Sequence, residues 1–226
     1  MRIAFFEDRQ TLEVGPIAEL RPVFELICGH FSLRERAIRS LSVSEWGAFI
    51  RDHLRQSYQE LHSEAHINNL DWLGQGPTLF LNGAWIAPAA ALAQIDPSTV
   101  GLVDGAIAYV TVDTAEARLF ETEPWESAIY QIARTRQRVS APGKLFSYPW
   151  QLVAHNPVQI VNDFASRPSP KGWLINNPQV ALIGPADRIA IDRAARIDPF
   201  VVFDTTRGPI SIDAGAVIQS FTRVEG

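Results

Sequence analysis

"IDRAARIDPFVVFDTTRGPISIDAGAVIQSFTRVEG", residues 191–226, decides how the C-terminal part of this chain folds. Ile191, Ile197 and Phe203 stand six apart, and after a nine-residue step Ile212, Ile218 and Val224 do so again. A period of six fits neither the 3.6-residue repeat of a helix nor the two-residue repeat of a strand. It suits a left-handed parallel β-helix, whose triangular coil spends about six residues per side and turns one aliphatic side chain inward on each. Ala195, Val201, Ala216 and Thr222 follow four residues behind Ile191, Ile197, Ile212 and Ile218, where a small side chain fits beside a corner. The Phe203 hexad has Arg207 there instead, and "TRGP" (206–209) reads as a loop extruded from a corner. Asp192, Asp198, Asp204, Asp213 and Glu225, each next to an inward position, are expected to face solvent. The alternative is a pair of ordinary strands with fortuitous spacing. About two coils lie in residues 173–226, still running at Gly226, so they continue in a longer chain or cap themselves on the rest of the molecule. Coils expose unpaired edges, so a homo-oligomer through this segment is also expected.

Upstream, "SRPSPKG" (166–172) supplies the linker, placed at 167–172, and before it strands alternate with helices. "RIAFF" is a short buried strand. Ser32 and Glu35 form an S-x-x-E capping box that opens a helix. Residues 43–62 hold a largely helical stripe, with Gly47 leaving open a short strand before a helix at about 52–62. "PTLFLNGAW" and "GAIAYVTVD" read as strands, "APAAALAQI" and "PWESAIYQIARTRQ" as helices. "PWQLVAHNPVQIVNDFA" reads as a helix with Trp150, Val153, Ile160, Val161 and Phe164 inward and a break or kink at Pro157. This order predicts an α/β domain with a layered, largely parallel sheet over residues 1–166.

The composition narrows the function. The chain has 226 residues, 46% of them hydrophobic, with a net charge of −5. That balance argues against a nucleic-acid surface but leaves room for a local basic cluster that takes a nucleotide. Cys28 is the only cysteine, so no internal disulfide forms and a reducing, cytoplasmic setting is expected. No apolar run approaches the roughly 20 residues of a membrane span.

The densest chemistry lies in "VGPIAELRPVFELICGHFSLRER" (14–36), between the first strand and the capped helix, where α/β sheets hold phosphates. Arg21, Arg34, Arg36 and Arg39 supply positive charge, and guanidinium holds phosphate bidentately. A solvated basic helix face is the plainer reading of the same residues. Pro16, Arg21, Pro22, Val23, Glu25, Leu26, Gly29 and Glu35 resemble the signature of sugar nucleotidyltransferases related to the bifunctional N-acetylglucosamine-1-phosphate uridylyltransferase/acetyltransferases. "LFLNG" (79–83) resembles that family's strand ending in Asn-Gly, Glu7-Asp8 its first strand end, and Trp150, Leu152, Val153, Asn156, Ile160, Asp163 and Phe164 its W-x-L-V-x-x-N-x-x-x-I-x-x-D-F helix. The order of an α/β part followed by a left-handed β-helix is similar as well. Leu20 and Ile27 depart from the family's threonine and arginine.

The resemblance implies a nucleotide-diphospho-sugar-transferase-like fold that joins a sugar 1-phosphate to a nucleoside triphosphate and releases pyrophosphate. It implies Arg21 on the triphosphate, Arg34 on the same phosphates, and Asn82 and Gly83 near base or sugar. Asp8, Asp104 and Asp163 become candidate Mg²⁺ ligands, since magnesium takes hard carboxylate oxygens. Arg21 and Glu25 are the catalytic candidates, with Glu25 alternatively a salt-bridge partner of a nearby arginine. Asp8, Asp104 and Asn82-Gly83 also read as turn formers, and Asp163 as a solvated side chain. Trp46 and Trp150 read as packing anchors, and Cys28 as a small buried hydrophobe. His62 and His66 stand four apart without an evident third ligand. The competing functions are a catalytically degenerate nucleotide-sugar-binding or assembly module, and the N-terminal part of a β-helix acyltransferase. No histidine follows His155 to serve the second.

Overall fold

The computed structural model describes residues 1–165 and 178–226, so the expected linker at 167–172 lies outside the described residues. The chain divides into two compact units, Met1–His155 and Asn156–Gly226. The first unit carries strands β1 (Arg2–Phe6), β2 (Ile27–Cys28), β3 (Phe31–Ser32), β4 (Glu45–Phe49), β5 (His66–Ile67) and β6 (Thr78–Asn82). It continues with β7 (Trp85–Ile86), β8 (Thr99–Val103), β9 (Ala106–Val112), β10 (Gln137–Ser140) and β11 (Lys144–Leu145). The helices are α1 (Leu33–Ser40), α2 (Asp52–Leu61), α3 (Leu70–Leu73), α4 (Ala89–Ala93), α5 (Leu119–Thr122), α6 (Trp125–Arg134) and α7 (Pro149–Ala165), the last crossing from one unit into the other.

A seven-stranded sheet runs in the order β10-β8-β9-β6-β1-β4-β5. β9 is antiparallel to both neighbours, and every other pairing is parallel. The central strands are apolar without interruption because both faces of the sheet are covered. In β1, Ile3 and Phe5 enter one core with Leu79 and Leu81 of β6, while Ala4 and Phe6 enter the other with Phe80. The two-residue period of the strand makes that division. Ser32 caps α1 with both hydrogen bonds of the expected box. Gly47 lies in β4, where a Cβ would meet the His66 carbonyl oxygen at 2.5 Å, so this position belongs to a strand packed too closely for any side chain.

β8 and β9 slip register between Gly101 and Leu102, which sends both Ala108 and Tyr109 into the same core. Tyr109 then lies across Gly101, and a Cβ there would sit 2.0 Å from the ring. The ring cannot swing away freely, because its hydroxyl meets Thr99 Oγ1 at 3.1 Å and its face packs on Trp85. Gly101→Ala is therefore expected to destabilise the protein by about 1–3 kcal/mol, the usual cost of overpacking a core. Urea unfolding measures it, and an unchanged midpoint would show that the ring is not fixed.

The second unit holds β12 (Ala181–Ile183), β13 (Ile189–Ile191), β14 (Arg196–Ile197), β15 (Val202–Asp204), β16 (Ile210–Ile212), β17 (Val217–Ile218) and β18 (Arg223–Glu225). They form three parallel ladders, β12-β15-β18, β13-β16 and β14-β17. The registers include Ile191 opposite Ile212, Ile197 opposite Ile218, and Phe203 opposite Val224. The six apolar positions of the opening stretch thus stack on one another, and all six belong to one core with Ala195, Val201 and Ala216. "TRGP" falls between β15 and β16.

Three expectations need correction. Asp204 is 9% exposed rather than solvent-facing: the extruded loop folds back so that Thr206 donates to it from its backbone (3.0 Å) and hydroxyl (2.6 Å), and Arg223 pairs with it at 2.5 Å. The Thr206 hydrogen bonds, with Arg223 and Arg207 beside them, hold its carboxyl below the usual range. α7 runs unbroken through Pro157. On that helix Trp150, Val153 and Val161 are exposed, not inward, while Leu152, Gln159 and Asp163 are buried.

Candidate active site

In the sheet order, β4 and β5 extend to one side of β1 and β6 lies on the other. The succession reverses between β1 and β6, and ligands of open α/β sheets bind beyond the carboxyl ends of the strands at such a point. Phe6 pairs with Asn82 there, and the residues just beyond are Glu7, Asp8 and Gly83. Two of the expected site residues meet: Asn82 Nδ2 donates to Asp8 Oδ2 at 2.8 Å and to the Ile107 carbonyl at 3.0 Å. Asn82 Oδ1 accepts from the Ala84 backbone at 2.9 Å, which fixes the amide in one orientation. Asp8 also accepts from the Gln10 backbone at 3.0 Å, opening the turn after β1. Gly83 is required by close packing, since a Cβ would lie 2.9 Å from Phe24 and 3.1 Å from Val23.

A buried ion pair holds the loop that leaves this edge. Glu7 accepts from the Val23 backbone (2.9 Å) and from Arg51 Nε (3.1 Å) and its terminal nitrogen (3.2 Å). The same guanidinium donates to the carbonyls of Ala18 (2.6 Å) and Arg21 (3.1 Å). Strand end, loop and the start of α2 are thereby tied at one point. From α6, Trp125 Nε1 donates to the Glu7 carbonyl at 2.9 Å, and Glu126 lies 3.5 Å from Arg9. Burial, together with the charges of Asp8 and Glu126, raises the pKa of Tyr130 on that helix.

Beside the loop lies a cavity of about 330 Å³ lined by Leu20, Arg21, Pro22, Glu25 and the α2 residues Leu54, Ser57, Tyr58 and Leu61, with His62 just beyond the helix end. Its size is at the lower end of small-molecule sites. Arg34 Nε donates to Glu25 at 2.5 Å, Tyr58 donates its hydroxyl to the same oxygen, and His62 stands 3.7 Å away. Burial works against the Arg34 charge, but the hydrogen bond and charge of Glu25 prevail and raise its pKa. Burial and Glu25 together push the Tyr58 phenol up. Arg34 is thus held on Glu25 and over the Trp46 ring, Arg36 donates to the Cys28 carbonyl, and Arg39 lies over Phe31. Among the described residues, Arg21 makes no side-chain hydrogen bond or ion pair, and it is exposed on the cavity rim.

Asp104 and Asp163 are the other two carboxylate candidates. Asp104 forms the two-residue turn between β8 and β9, at φ 49° and followed by Gly105 at φ 84°. β8 runs parallel to β6 two places away, so that turn shares the edge at about 10 Å from β6. Asp163 belongs to the second unit and is buried. Among the described residues, no three His, Cys, Asp or Glu side chains gather as a metal site. His66 lies in β5 and stacks on Trp72, so it shares no helix with His62. The sequence reading passed over Arg51, Tyr58 and Tyr130. The apolar-to-acidic junction at Phe6-Glu7 signalled a strand end, but nothing local names a partner 44 residues away.

Compared with known proteins, residues 3–169 match a family described as sugar nucleotidyl transferase. A Bacillus anthracis protein assigned as a glucose-1-phosphate thymidylyltransferase and solved with sucrose shares 8% identity and a TM-score of 0.46, over 71% of this chain and 96% of that one. No curated protein matches in sequence. Among the described residues, no helix is long and apolar enough to cross a membrane.

Proposed function

This chain belongs to the sugar nucleotidyl transferase family, and on that premise we propose that it joins a sugar 1-phosphate to a nucleoside triphosphate and releases pyrophosphate. The observation that carries the reading is Arg21. It stands on the rim of a cavity whose carboxylate, Glu25, is already neutralised by Arg34, so it is the charge left for an anionic ligand. Phosphoryl transfer asks a protein mainly for positioning and charge neutralisation. Arg21 grips the phosphates with its planar fork. Glu25 and Arg34 act from behind, shaping the wall rather than touching the reacting atoms. Asn82, held by its three hydrogen bonds, presents a rigid edge to base or sugar, and the Glu7–Arg51 pair keeps the loop in register with it.

Magnesium fits this edge through one carboxylate, Asp8, because the ion is commonly bound by one or two carboxylates with substrate phosphates and water. Bound there, it would neutralise phosphate charge. Asp104 and Asp163 are not needed for that mode. The three parallel ladders of the second unit support a left-handed parallel β-helix as the appended architecture.

A second reading, a nucleotide-sugar-binding module without turnover, is favoured by two exposed apolar residues: Leu20 and Ile27 stand where the resembled family has threonine and arginine. Incubation with Mg²⁺, each nucleoside triphosphate and a panel of sugar 1-phosphates is expected to release pyrophosphate. Saturable nucleotide binding without pyrophosphate selects the second reading, and a folded protein that does neither defeats both.

A further inference from the structure

Two aromatic rings of the first unit are stacked in the open beside the candidate site. Tyr148 and Trp150 lie with centroids 4.5 Å apart and planes 6° from parallel, yet they are 38% and 64% exposed. A Trp150 so exposed anchors no core. The pair is held rigidly all the same. Gln151 Oε1 accepts from the backbone nitrogens of Ser147 (2.6 Å) and Tyr148 (2.9 Å), closing the turn that leads into α7. That turn is tied to the site on two sides. The Phe146 backbone donates to the Ala84 carbonyl at 3.1 Å, two residues past Asn82. The Ser147 hydroxyl donates to Gln10 Oε1 at 3.4 Å, two residues past Asp8.

We propose that the Tyr148–Trp150 stack is the platform on which the heteroaromatic base of the nucleotide lies. The inference rests on the nucleotidyltransferase reading and adds where the uncharged end of that substrate goes. Chemistry picks the occupant. From Phe146 to His155 there is no Asp, Glu, Lys or Arg, so this segment offers aromatic faces and no charge. Every base has a π-face that stacks on aromatic side chains. A sugar 1-phosphate has none, and its hydroxyls and anionic oxygens call for hydrogen-bonding groups and cations. Sheet order agrees. The Arg21 carbonyl is tied to Arg51, just past β4, and the stack is tied through Phe146 to Ala84, just past β6. β1 lies between β4 and β6, so Asp8, just past its end, stands between the two tethers. Rings already stacked need no further ordering when a base arrives, which spares the entropy of fixing a loose side chain.

The test is calorimetric titration of the full chain, with Mg²⁺ present, by each common nucleoside triphosphate and by inorganic triphosphate, which lacks a base. The wild type is expected to bind at least one nucleoside triphosphate more tightly than inorganic triphosphate. Trp150→Ala is expected to weaken that nucleoside triphosphate about 10-fold, within the range for losing one stacked base, and to leave inorganic triphosphate unchanged. Trp150→Phe keeps a ring and is expected to recover most of the loss. Arg21→Gln is expected to weaken both probes. Circular dichroism checks folding. If Trp150→Ala fails to fold, Tyr148→Leu, which removes the supporting ring, replaces it with the same selective loss expected. Three results would overturn the platform while leaving the Arg21 reading in place: nucleoside triphosphates that bind no tighter than inorganic triphosphate, a folded Trp150→Ala with full affinity, or one that weakens both probes equally. A folded wild type that binds neither probe overturns the functional reading and the platform with it.

Discussion

Replacing Arg51 by methionine is expected to cost about 3–5 kcal/mol of stability, the range for removing one partner of a buried ion pair. The side chains of Glu7 and Arg51 are 1% and 15% exposed, so the Glu7 carboxylate left behind has little access to water. The loss is not confined to the pair, because the Ala18 and Arg21 carbonyls lose their donor at the same time. Hydrogen exchange over residues 18–23 should therefore quicken more than the fall in global stability explains. Glu7→Gln together with Arg51→Met is expected to be more stable than Arg51→Met alone. The amide carries no charge, yet its oxygen can still accept from the Val23 backbone, which would otherwise be left unpaired. If Arg51→Met costs less than about 1 kcal/mol, the pair behaves like an exposed one and does not anchor the loop.

How much of this was legible depends on how far apart the interacting residues stand. The Ser32–Glu35 box is contained within four residues, and its sequence pattern is its geometry. The stacking of Ile191, Ile197 and Phe203 on Ile212, Ile218 and Val224 was legible because parallel ladders repeat their side-chain phase from one strand to the next. The facing of α7 was not. Leu152, Ile160 and Phe164 make one apolar stripe and Trp150, Val153 and Val161 another, and periodicity alone cannot rank two stripes on one helix. Asp204 misled for a related reason. Its partner Arg223 stands 19 residues on, on the neighbouring strand β18, and the loop that donates through Thr206 is what broke the repeat. At the site, the sequence located the basic stretch but could not say which arginine was free. Glu25 lies nine residues before Arg34, and only the fold brings the two together with Tyr58, one side of a small cavity. Of the two roles open to Glu25, salt-bridge partner is the one its contacts support.

That distinction between a held arginine and a free one gives the second large effect. Arg21→Gln is expected to lower kcat/KM for nucleotide-sugar formation by about 10²-fold, the lower end of what removing one preorganised donor to developing charge costs. Stability should stay within about 0.5 kcal/mol of wild type, since the side chain is exposed and makes no hydrogen bond or ion pair among the described residues. Arg21→Lys should fall between the two, keeping the charge but not the two-pronged grip on phosphate. Arg34→Met supplies the contrast. It strips Glu25 of its charged partner in a half-buried place, so it should unfold more readily. Its effect on turnover should follow that damage to the wall and not a lost contact with phosphate. The pattern separates the two guanidinium groups, which the sequence had assigned alike to the triphosphate. If Arg21→Gln turned over at the wild-type rate while Arg34→Met lost activity with no loss of stability, the phosphates would sit on the other arginine. The cavity rim would then have no part in binding them.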